Sequence, residues 1–277
     1  MPHSTGYFST NVIQKQGSNN DLETQRMLPE EAPIAMSFNG NSYAVMMATP
    51  LDIEDFALGF ALTEGIIAHK NDIESINILS HDEAGMEAQI WLKEEKADAL
   101  AARRRTMAGP VGCGLCGIES LEAATRSLPK ITTHKDAYFS LDEVCAATSL
   151  LRAFQPLHDL THGVHAAGFM LPNKGIILAR EDVGRHNALD KLIGALHQKE
   201  EVLQTLQKGA LVLTSRLSME MVQKAAIAGI GVVIAVSTPT SYALKLAREA
   251  NLTLIANAKG NKCDIFTHDF RIKGKIK

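Results

Sequence analysis

Cysteine is scarce in this chain, since 277 residues contain four and only Cys113 and Cys116 lie close together. The dense cysteine framework of small secreted domains is absent, so free thiols in a reducing cytosol are expected. The first residues also lack the charged and apolar regions of a secretory signal. No apolar run approaches the roughly 18 residues that suggest a membrane span. We therefore expect a cytoplasmic protein without a membrane partner.

Excess charge is small as well. The net charge of −3 excludes the general basic field that gathers nucleic acid, so no nucleic-acid partner is expected and any anion must bind a local patch. Hydrophobic residues make up 45% of the chain and charged residues 21%, which is typical of a soluble globular protein. The length suffices for one large domain or two ordinary ones.

The pattern along the chain predicts three regions. Residues 1–20 are polar and without periodicity, which indicates a mobile tail, with an edge strand over part of it as the alternative. Residues 21–137 predict a mixed α+β domain that ends in the cysteine loop. Its opening signal is Asn39-Gly40 between two apolar runs, a hairpin signature. The expected strands are 32–38, 42–48, 75–79 and 87–92, and the expected helices run from an N-cap at Thr49 to about Glu64 and over 94–105.

Residues 138–277 alternate helix and strand patterns, which predicts a layered α/β domain. The short apolar strands are typical of strands buried on both faces. Expected helices cover 141–154, 187–198, 218–228 and 240–250, and expected strands cover 165–170, 175–179, 210–214, 231–237 and 252–257.

The stretch Gly112-Cys113-Gly114-Leu115-Cys116-Gly117 is the most reactive-looking part of the sequence. A thiol acts as a nucleophile or sulfur carrier only as thiolate, which nearby positive charge or a helix N-terminus favours. Arg103, Arg104 and Arg105 precede the pair, and a short helix is expected over 118–127. The pair fits half of a zinc site, a dithiol redox centre, a persulfide carrier or a plain turn.

The residues alone leave these alternatives open. A zinc site needs about four ligands, so Cys145, Cys263, His158, His162 or His165 would have to complete it. A thioredoxin-like redox pair follows a strand, whereas the segment before Cys113 looks helical. Cys145 and Cys263, isolated among apolar neighbours, fit a purely structural role better.

Several separated motifs together resemble the formate dehydrogenase accessory sulfurtransferases of the FdhD/NarQ family. They are the cysteine stretch, Glu31-Ala32-Pro33-Ile34, Asp55-Phe56-Ala57-Leu58-Gly59-Phe60, the run from Glu181 to Lys191, and Thr214-Ser215-Arg216 with Glu220-Met221-Val222-Gln223-Lys224. The resemblance covers about residues 30–268. Their common order is far more specific than Cys-x-x-Cys alone.

The resemblance implies a sulfurtransferase. It would accept sulfur from a cysteine desulfurase as a persulfide on Cys113, with Cys116 as the second thiol. The sulfur would pass to the molybdenum cofactor, Mo-bis-molybdopterin guanine dinucleotide, before that cofactor enters formate dehydrogenase. The alternative is a non-catalytic chaperone that binds the cofactor and apo-formate dehydrogenase. A homodimer follows only by family analogy.

The resemblance also implies a cytidine-deaminase-like fold for the second domain. Deamination needs a zinc-bound water and a glutamate proton shuttle. The corresponding position here is His165-Ala166-Ala167, which has no glutamate, and no Pro-Cys-x-x-Cys follows. We therefore expect the fold without the chemistry, and no metal of the protein's own.

Loops after the strands are the predicted binding site for the cofactor's pyrophosphate, because α/β sheets bind such ligands beyond their strand ends. Ser215 and Arg216 offer a hydroxyl and a guanidinium, and the loop 237–240 repeats that pattern. A third loop aligns with the family's cofactor-binding segment but carries lysine where relatives more often have arginine. It consists of Asn257, Ala258, Lys259, Gly260, Asn261 and Lys262.

The run from Glu181 to Lys191 precedes a predicted helix and gathers acids, bases and a histidine. It is expected either to orient a substrate group or to serve as a helix cap. Asp182 is the natural capping residue, and His186 is the candidate for acid–base or anion contact.

Overall fold

The structure is a computed structural model that describes residues 4–16, 20–106, 128–132 and 138–274. The predicted carriers Cys113 and Cys116, the short helix expected at 118–127 and the domain boundary expected at 137 lie outside the described residues. No helix within the described ranges is long and apolar enough to cross a membrane.

The chain begins with a hairpin of two long antiparallel strands, β1 (Tyr7–Gln16) and β2 (Asn20–Pro29). The sequence predicts a mobile tail over residues 1–20 with an edge strand as the alternative, and β1 shows that the alternative holds for Tyr7–Gln16. The cause is pairing rather than propensity, since Tyr7 lies opposite Pro29 and Gln16 opposite Asn20. A polar run without alternating apolar residues gives no sign in the sequence that it pairs with another strand.

A four-stranded sheet follows, with the order β4-β3-β6-β5. Its strands are β3 (Ala32–Phe38), β4 (Asn41–Ala48), β5 (Ile73–Ser80) and β6 (Met86–Leu92). The Asn-Gly hairpin is confirmed, because Asn39 and Gly40 take φ of 47° and 75° as a primed two-residue turn requires. Two helices accompany the sheet, α1 (Ile53–Thr63) and α2 (Glu94–Thr106).

The second half of the chain forms a six-stranded sheet with the order β13-β12-β11-β10-β8-β9. Neighbours β10, β11 and β12 are parallel, and the other pairs are antiparallel. The strands are β8 (His165–Leu171), β9 (Gly175–Asp182), β10 (Ala210–Leu213), β11 (Val232–Ala235), β12 (Thr253–Lys259) and β13 (Lys262–Thr267). A short parallel pair, β7 (Phe139–Ser140) and β14 (Ile272–Lys273), lies apart.

Six helices belong to this half, so it is a mixed α/β arrangement of helices and a sheet, as the alternating pattern predicts in outline. The sequence did not foresee α4, although Pro156 at its first turn is a helix-start signal, nor strand β13. The helices are α3 (Leu141–Leu151), α4 (Pro156–Thr161), α5 (Arg185–Gln198), α6 (Glu200–Leu203), α7 (Met219–Ile227) and α8 (Ser241–Glu249).

The two halves share one continuous hydrophobic core, in which α1 packs directly on α5. The helix backbones approach so closely that only glycine fits at the crossing. A Cβ on Gly59 would lie 1.7 Å from the carbonyl oxygen of Asp190, and one on Gly194 would lie 1.9 Å from that of Asp55. We call this contact surface between the two halves the seam.

A buried ion pair of the second half lies at the seam and is hydrogen-bonded to Thr49 of the first half. Lys191 Nζ lies 2.7 Å from Asp182 Oδ2, and both side chains are fully buried. The same ammonium donates to the carbonyl of Thr49, and the Thr49 amide donates to Asp182. Thr49 is therefore not the predicted N-cap of α1, because its polar groups are taken by the second half of the chain. Asp52, at φ 52°, occupies the cap position instead.

A second buried cation closes the seam beside the first. Lys224 Nζ lies 2.9 Å from Asp190 and 3.1 Å from Glu64, and it also donates to Thr63. Burial acts to lower the pKa of Lys224, but the carboxylates of Asp190 and Glu64 outweigh it and raise that pKa above its usual range. The lysine therefore stays charged and holds α1, α5 and α7 together.

Cys145 on α3 and Cys263 on β13 form a disulfide, with their Cα atoms 5.2 Å apart. The expectation of free thiols is therefore wrong for this pair. The pairing joins positions separated by 118 residues, which a single sequence does not reveal. It also removes both cysteines from the ligands that a zinc site at the Cys113–Cys116 stretch would need.

Candidate anion-binding site

The carboxyl ends of β10, β11 and β12 lie at one edge of the large sheet, because the three strands are parallel neighbours. Each is followed by one of the predicted binding loops. The first two loops are tied together, since Thr240 N donates to Leu217 O and Leu217 pairs with Pro239 in an isolated bridge. Ligands of open α/β sheets bind at such an edge. We call it the carboxyl edge.

Ser215 and Arg216 lie directly beyond β10, but they are not equally open. Ser215 is only 5% exposed, and its hydroxyl donates to the carbonyl of Arg216. Arg216 is exposed. Of the two predicted residues, the guanidinium is therefore free to meet an anion, whereas the hydroxyl shapes the loop.

The predicted loop 257–262 is the tip of the β12–β13 hairpin. Pairing with β11 ends at Ile255, so the residues beyond it project past the sheet. Lys259 and Lys262 face each other across the Gly260-Asn261 turn, and all four are exposed. Two ammonium groups therefore stand at the outer end of the carboxyl edge.

The other two residues of this loop serve the hairpin itself. Asn257, at φ 52°, donates to Asp264 at 2.6 Å. Ala258 is buried, and its carbonyl accepts from Thr148 on α3. The side chain of Ala258 is therefore turned away from any ligand at the edge.

Helix α5 begins at the same edge, since Asp182 ends β9 beside His165 at the start of β8. Asp182 Oδ1 accepts from the Gly184 amide and from the Asn187 side chain, so it fixes the loop that leads into α5. Gly184 occupies the N-cap position, and no side chain caps this helix. Arg185 and His186 follow Gly184 and are half-buried. Asp182 thus has a structural role, and the motif leaves a guanidinium and an imidazole at the edge.

Glu220, in the first turn of α7, faces His186. Its Oε2 lies 4.0 Å from His186 Nε2, and interaction with that imidazole and with Ser218 lowers the pKa of Glu220 to about 2. The carboxylate is therefore ionised at all physiological pH values. His165 lies nearby, and burial together with the positive charge of Arg185 lowers its pKa, which favours the neutral ring.

His165 is the residue that corresponds to the histidine of a deaminase His-x-Glu motif. Its Nδ1 lies 3.5 Å from Thr214 Oγ1, and the carboxylate opposite it, Asp182, is bound to Lys191. Among the described residues, no three His, Cys, Asp or Glu side chains gather as a metal site. The histidine belongs to the polar lining of the edge.

Sequence reasoning did not single out Arg185, Ser218 or Glu220. The signal was present, because Glu220 stands in the first turn of a predicted helix and Arg185 precedes another, both after buried strands. The sequence does not show that α5 and α7 begin side by side. The predicted loops and the beginning of α5 meet at the carboxyl edge. Cys113 and Cys116 lie outside the described residues.

Comparison with known proteins agrees with the motifs. A model of the FdhD/NarQ family matches residues 29–273. A sulfur carrier protein FdhD from Agrobacterium fabrum is 48% identical over 248 residues, which are 90% of each chain. Another from Brucella abortus is 49% identical over 250 residues, 90% of this chain and 91% of the relative.

The fold has a counterpart among solved structures. The crystal structure of a candidate formate dehydrogenase accessory protein from Desulfotalea psychrophila superposes with a TM-score of 0.73 at 22% identity. The match covers 96% of this chain and 99% of the other, so the arrangement of both halves is shared. With the family model covering nearly the whole sequence, the chain belongs to the FdhD/NarQ family.

Proposed function

We propose that this protein is a cytoplasmic sulfur carrier that serves formate dehydrogenase by passing sulfur to its molybdenum cofactor. The observation that carries the proposal is membership of a family whose curated relatives are named sulfur carrier protein FdhD. The chain keeps the reactive feature such a role requires, the glycine-flanked pair Cys113 and Cys116.

The proposed chemistry begins with transfer of one sulfur atom. The Cys113 thiolate attacks the outer sulfur of a persulfide on a cysteine desulfurase, which leaves the donor as thiolate and Cys113 as a persulfide. Attack of the Cys116 thiolate on the inner sulfur of Cys113 then forms a Cys113–Cys116 disulfide and expels hydrosulfide for the cofactor. A cellular dithiol must reduce that disulfide before the next cycle.

The carboxyl edge is the proposed cofactor-binding surface. Mo-bis-molybdopterin guanine dinucleotide is the substrate in this scheme, and its pyrophosphates need cations and free backbone amides. Arg216, Lys259 and Lys262 are exposed there, and α5, α7 and α8 begin there. A deaminase-like origin of this half, and association of two copies, belong to the same proposal.

The test is to load the purified protein with sulfur from a cysteine desulfurase and free cysteine. We expect a mass increase of about 32 Da for each sulfur, mapped by peptide analysis to Cys113. Cys113→Ala should abolish the increase and formate dehydrogenase activity in cells. Cys116→Ala should keep the persulfide but slow its release.

Two outcomes would overturn the proposal. Full formate dehydrogenase activity with Cys113→Ala at normal protein level would remove Cys113 as the carrier. Cofactor binding without any persulfide would instead favour the alternative, a chaperone for the cofactor and apo-formate dehydrogenase.

A further inference from the structure

A disulfide fastens the β12–β13 hairpin to helix α3 close to the tip of the hairpin. Cys145 on α3 is bonded to Cys263 on β13. Cys263 directly follows Lys262, one of the two cations that the hairpin presents at the carboxyl edge. The bond is therefore adjacent to the predicted binding loop 257–262, which we call the hairpin tip.

The sheet by itself holds the hairpin tip weakly. Strand β13 lies at the edge of the sheet, and pairing of β12 with β11 ends at Ile255. The β12–β13 ladder is irregular beyond Ala256 and Asp264, and its next pair is Lys259 and Lys262. An edge segment with an interrupted ladder opens locally at a low cost in free energy. Contacts with α3 therefore decide how well the hairpin tip is ordered.

Helix α3 is a firm anchor for the hairpin tip. Its first turn is closed by a capping box between Ser140 and Glu143, and its apolar face is buried against the large sheet. Two links join it to the hairpin, the disulfide and the hydrogen bond that Thr148 donates to the carbonyl of Ala258. The disulfide is the covalent link, so its closure should control the order of the hairpin tip.

The two cysteines are not equally open to reagents. Cys145 is 4% exposed, whereas Cys263 is partly exposed on the edge strand. Thiol–disulfide exchange requires direct attack at a sulfur atom, so a small thiol or disulfide reacts first at Cys263. Disulfides of cytosolic proteins are usually transient or redox-sensing, because glutathione keeps thiols reduced there. A bond with one accessible cysteine therefore suits reversible exchange.

We propose that Cys145 and Cys263 form a redox switch that sets the order of the hairpin tip. This inference rests on the proposed function, which places the protein in the cytoplasm and the hairpin tip on the cofactor-binding surface. With the bond closed, Lys259 and Lys262 are held in place, which lowers the ordering cost of binding an anion. With the bond open, the hairpin tip keeps its hydrogen bond to Thr148 but becomes more mobile.

Glutathione and its disulfide are the proposed exchange partners. The Cys263 thiolate attacks one sulfur of glutathione disulfide and expels a first glutathione thiolate. The Cys145 thiolate then attacks the Cys263 sulfur of the mixed disulfide and expels the second. Two cysteine thiols are thus oxidised and one glutathione disulfide is reduced, and the two protons of the cysteines pass to the two glutathione thiolates. Opening is the reverse reaction with two molecules of glutathione.

A permanent structural cross-link is the competing explanation, and the first experiment separates the two. The variant Cys113→Ala, Cys116→Ala retains Cys145 and Cys263 as its only cysteines. It is equilibrated with glutathione and glutathione disulfide in varied ratios, and free thiols are alkylated and counted by mass spectrometry. We expect the bond to close in excess glutathione disulfide and to open in excess glutathione, with the protein folded throughout. A bond that never closes, or that stays closed in excess glutathione, would overturn the switch.

Hydrogen exchange measures the order of the hairpin tip in the same variant. We expect the backbone amides of residues 257–262 to exchange about tenfold faster with the bond open than with it closed. The Asn39–Gly40 turn, in the other half of the chain, is the internal control and should exchange equally in both states. Adding Cys263→Ser should give the fast rate in both buffers, because no bond can form.

Equal exchange of residues 257–262 in the two states would overturn the inference, and so would an equal acceleration at the Asn39–Gly40 turn. The sulfur-carrier function is tested separately by the persulfide on Cys113 of the wild-type chain. A missing persulfide together with redox-dependent exchange would refute that function and leave the conformational switch. A persulfide together with unchanged exchange would refute the switch alone.

Discussion

The seam and the carboxyl edge share one stretch of sequence, residues 181–191, yet polar groups of that stretch are satisfied differently in the two places. At the seam, Asp182 and Lys191 are fully buried and each has several partners. At the edge, Arg185 Nε, from the same motif, has no hydrogen-bond partner among the described residues, and His186 Nε2 has only the Glu220 carboxylate, 4.0 Å away. The residues around the start of α5 therefore lie partly in the buried seam and partly at the carboxyl edge.

This contrast separates stability from function within one motif. Asp182 and Lys191 are paired, and both are hydrogen-bonded to Thr49 of the other half, so removal of either partner would leave a buried group uncompensated. Polar atoms left unsatisfied reduce stability and persist where binding requires them. The motif could therefore be important for two independent reasons, and substitutions should divide into two classes.

The largest effect is expected at the glycine crossing of the seam. Gly194→Ala places a Cβ 1.9 Å from a backbone oxygen of α1, and no side-chain rotation can relieve a backbone contact. We expect no folded protein, or a loss of at least about 5 kcal/mol in the free energy of unfolding. Urea unfolding measures it, and Lys245→Ala on the exposed face of α8 is the control. A stable Gly194→Ala variant would contradict the close crossing.

The buried ion pair should come next. Lys191→Met leaves Asp182 charged and uncompensated, which should cost about 3 to 5 kcal/mol. The double variant Asp182→Asn, Lys191→Met leaves no bare carboxylate, so it should be more stable than Lys191→Met alone. Urea unfolding of the three proteins measures both differences. A double variant that is no more stable would show that the seam does not depend on the pairing of charges.

The seam also shows where the sequence is informative. The strands β3, β4, β6 and β8 begin within two residues of their predicted positions, because apolar periodicity and the Asn-Gly turn are local signals. The β1–β2 hairpin and β13 were missed, since polar strands are defined by their partners. The N-cap assigned to Thr49 was wrong because its partner, Asp182, is 133 residues away.

For the candidate site, the sequence predicted which loops lie together but not the orientation of their side chains. Parallel strands bring their carboxyl ends together, so the loops at 214–216, 237–240 and 257–262 share an edge as their pattern suggested. Position in a loop does not determine which way a side chain faces. Ser215 and Ala258, for example, lie in predicted binding loops but are buried. Glu220 could be recognised only once α5 and α7 were seen to begin side by side.

The smallest effect on stability is expected at the carboxyl edge. Glu220 has a folded-state pKa of about 2 against an ordinary 4.5, so its ionised form stabilises the folded protein. That contribution is present above about pH 4.5 and is lost as the pH falls through the folded value near 2. Since a third of the side chain is exposed, Glu220→Gln should cost less than about 1 kcal/mol at neutral pH.

Urea unfolding of wild type and Glu220→Gln across that range tests the prediction, with Glu249→Gln at the exposed end of α8 as the control. The two stabilities should converge in acid, whereas the control should differ little from wild type at any pH. A loss as large as that of Lys191→Met would mean that Glu220 is a structural residue like those of the seam. A small loss would instead show that the stability of the fold depends on the seam and little on the edge.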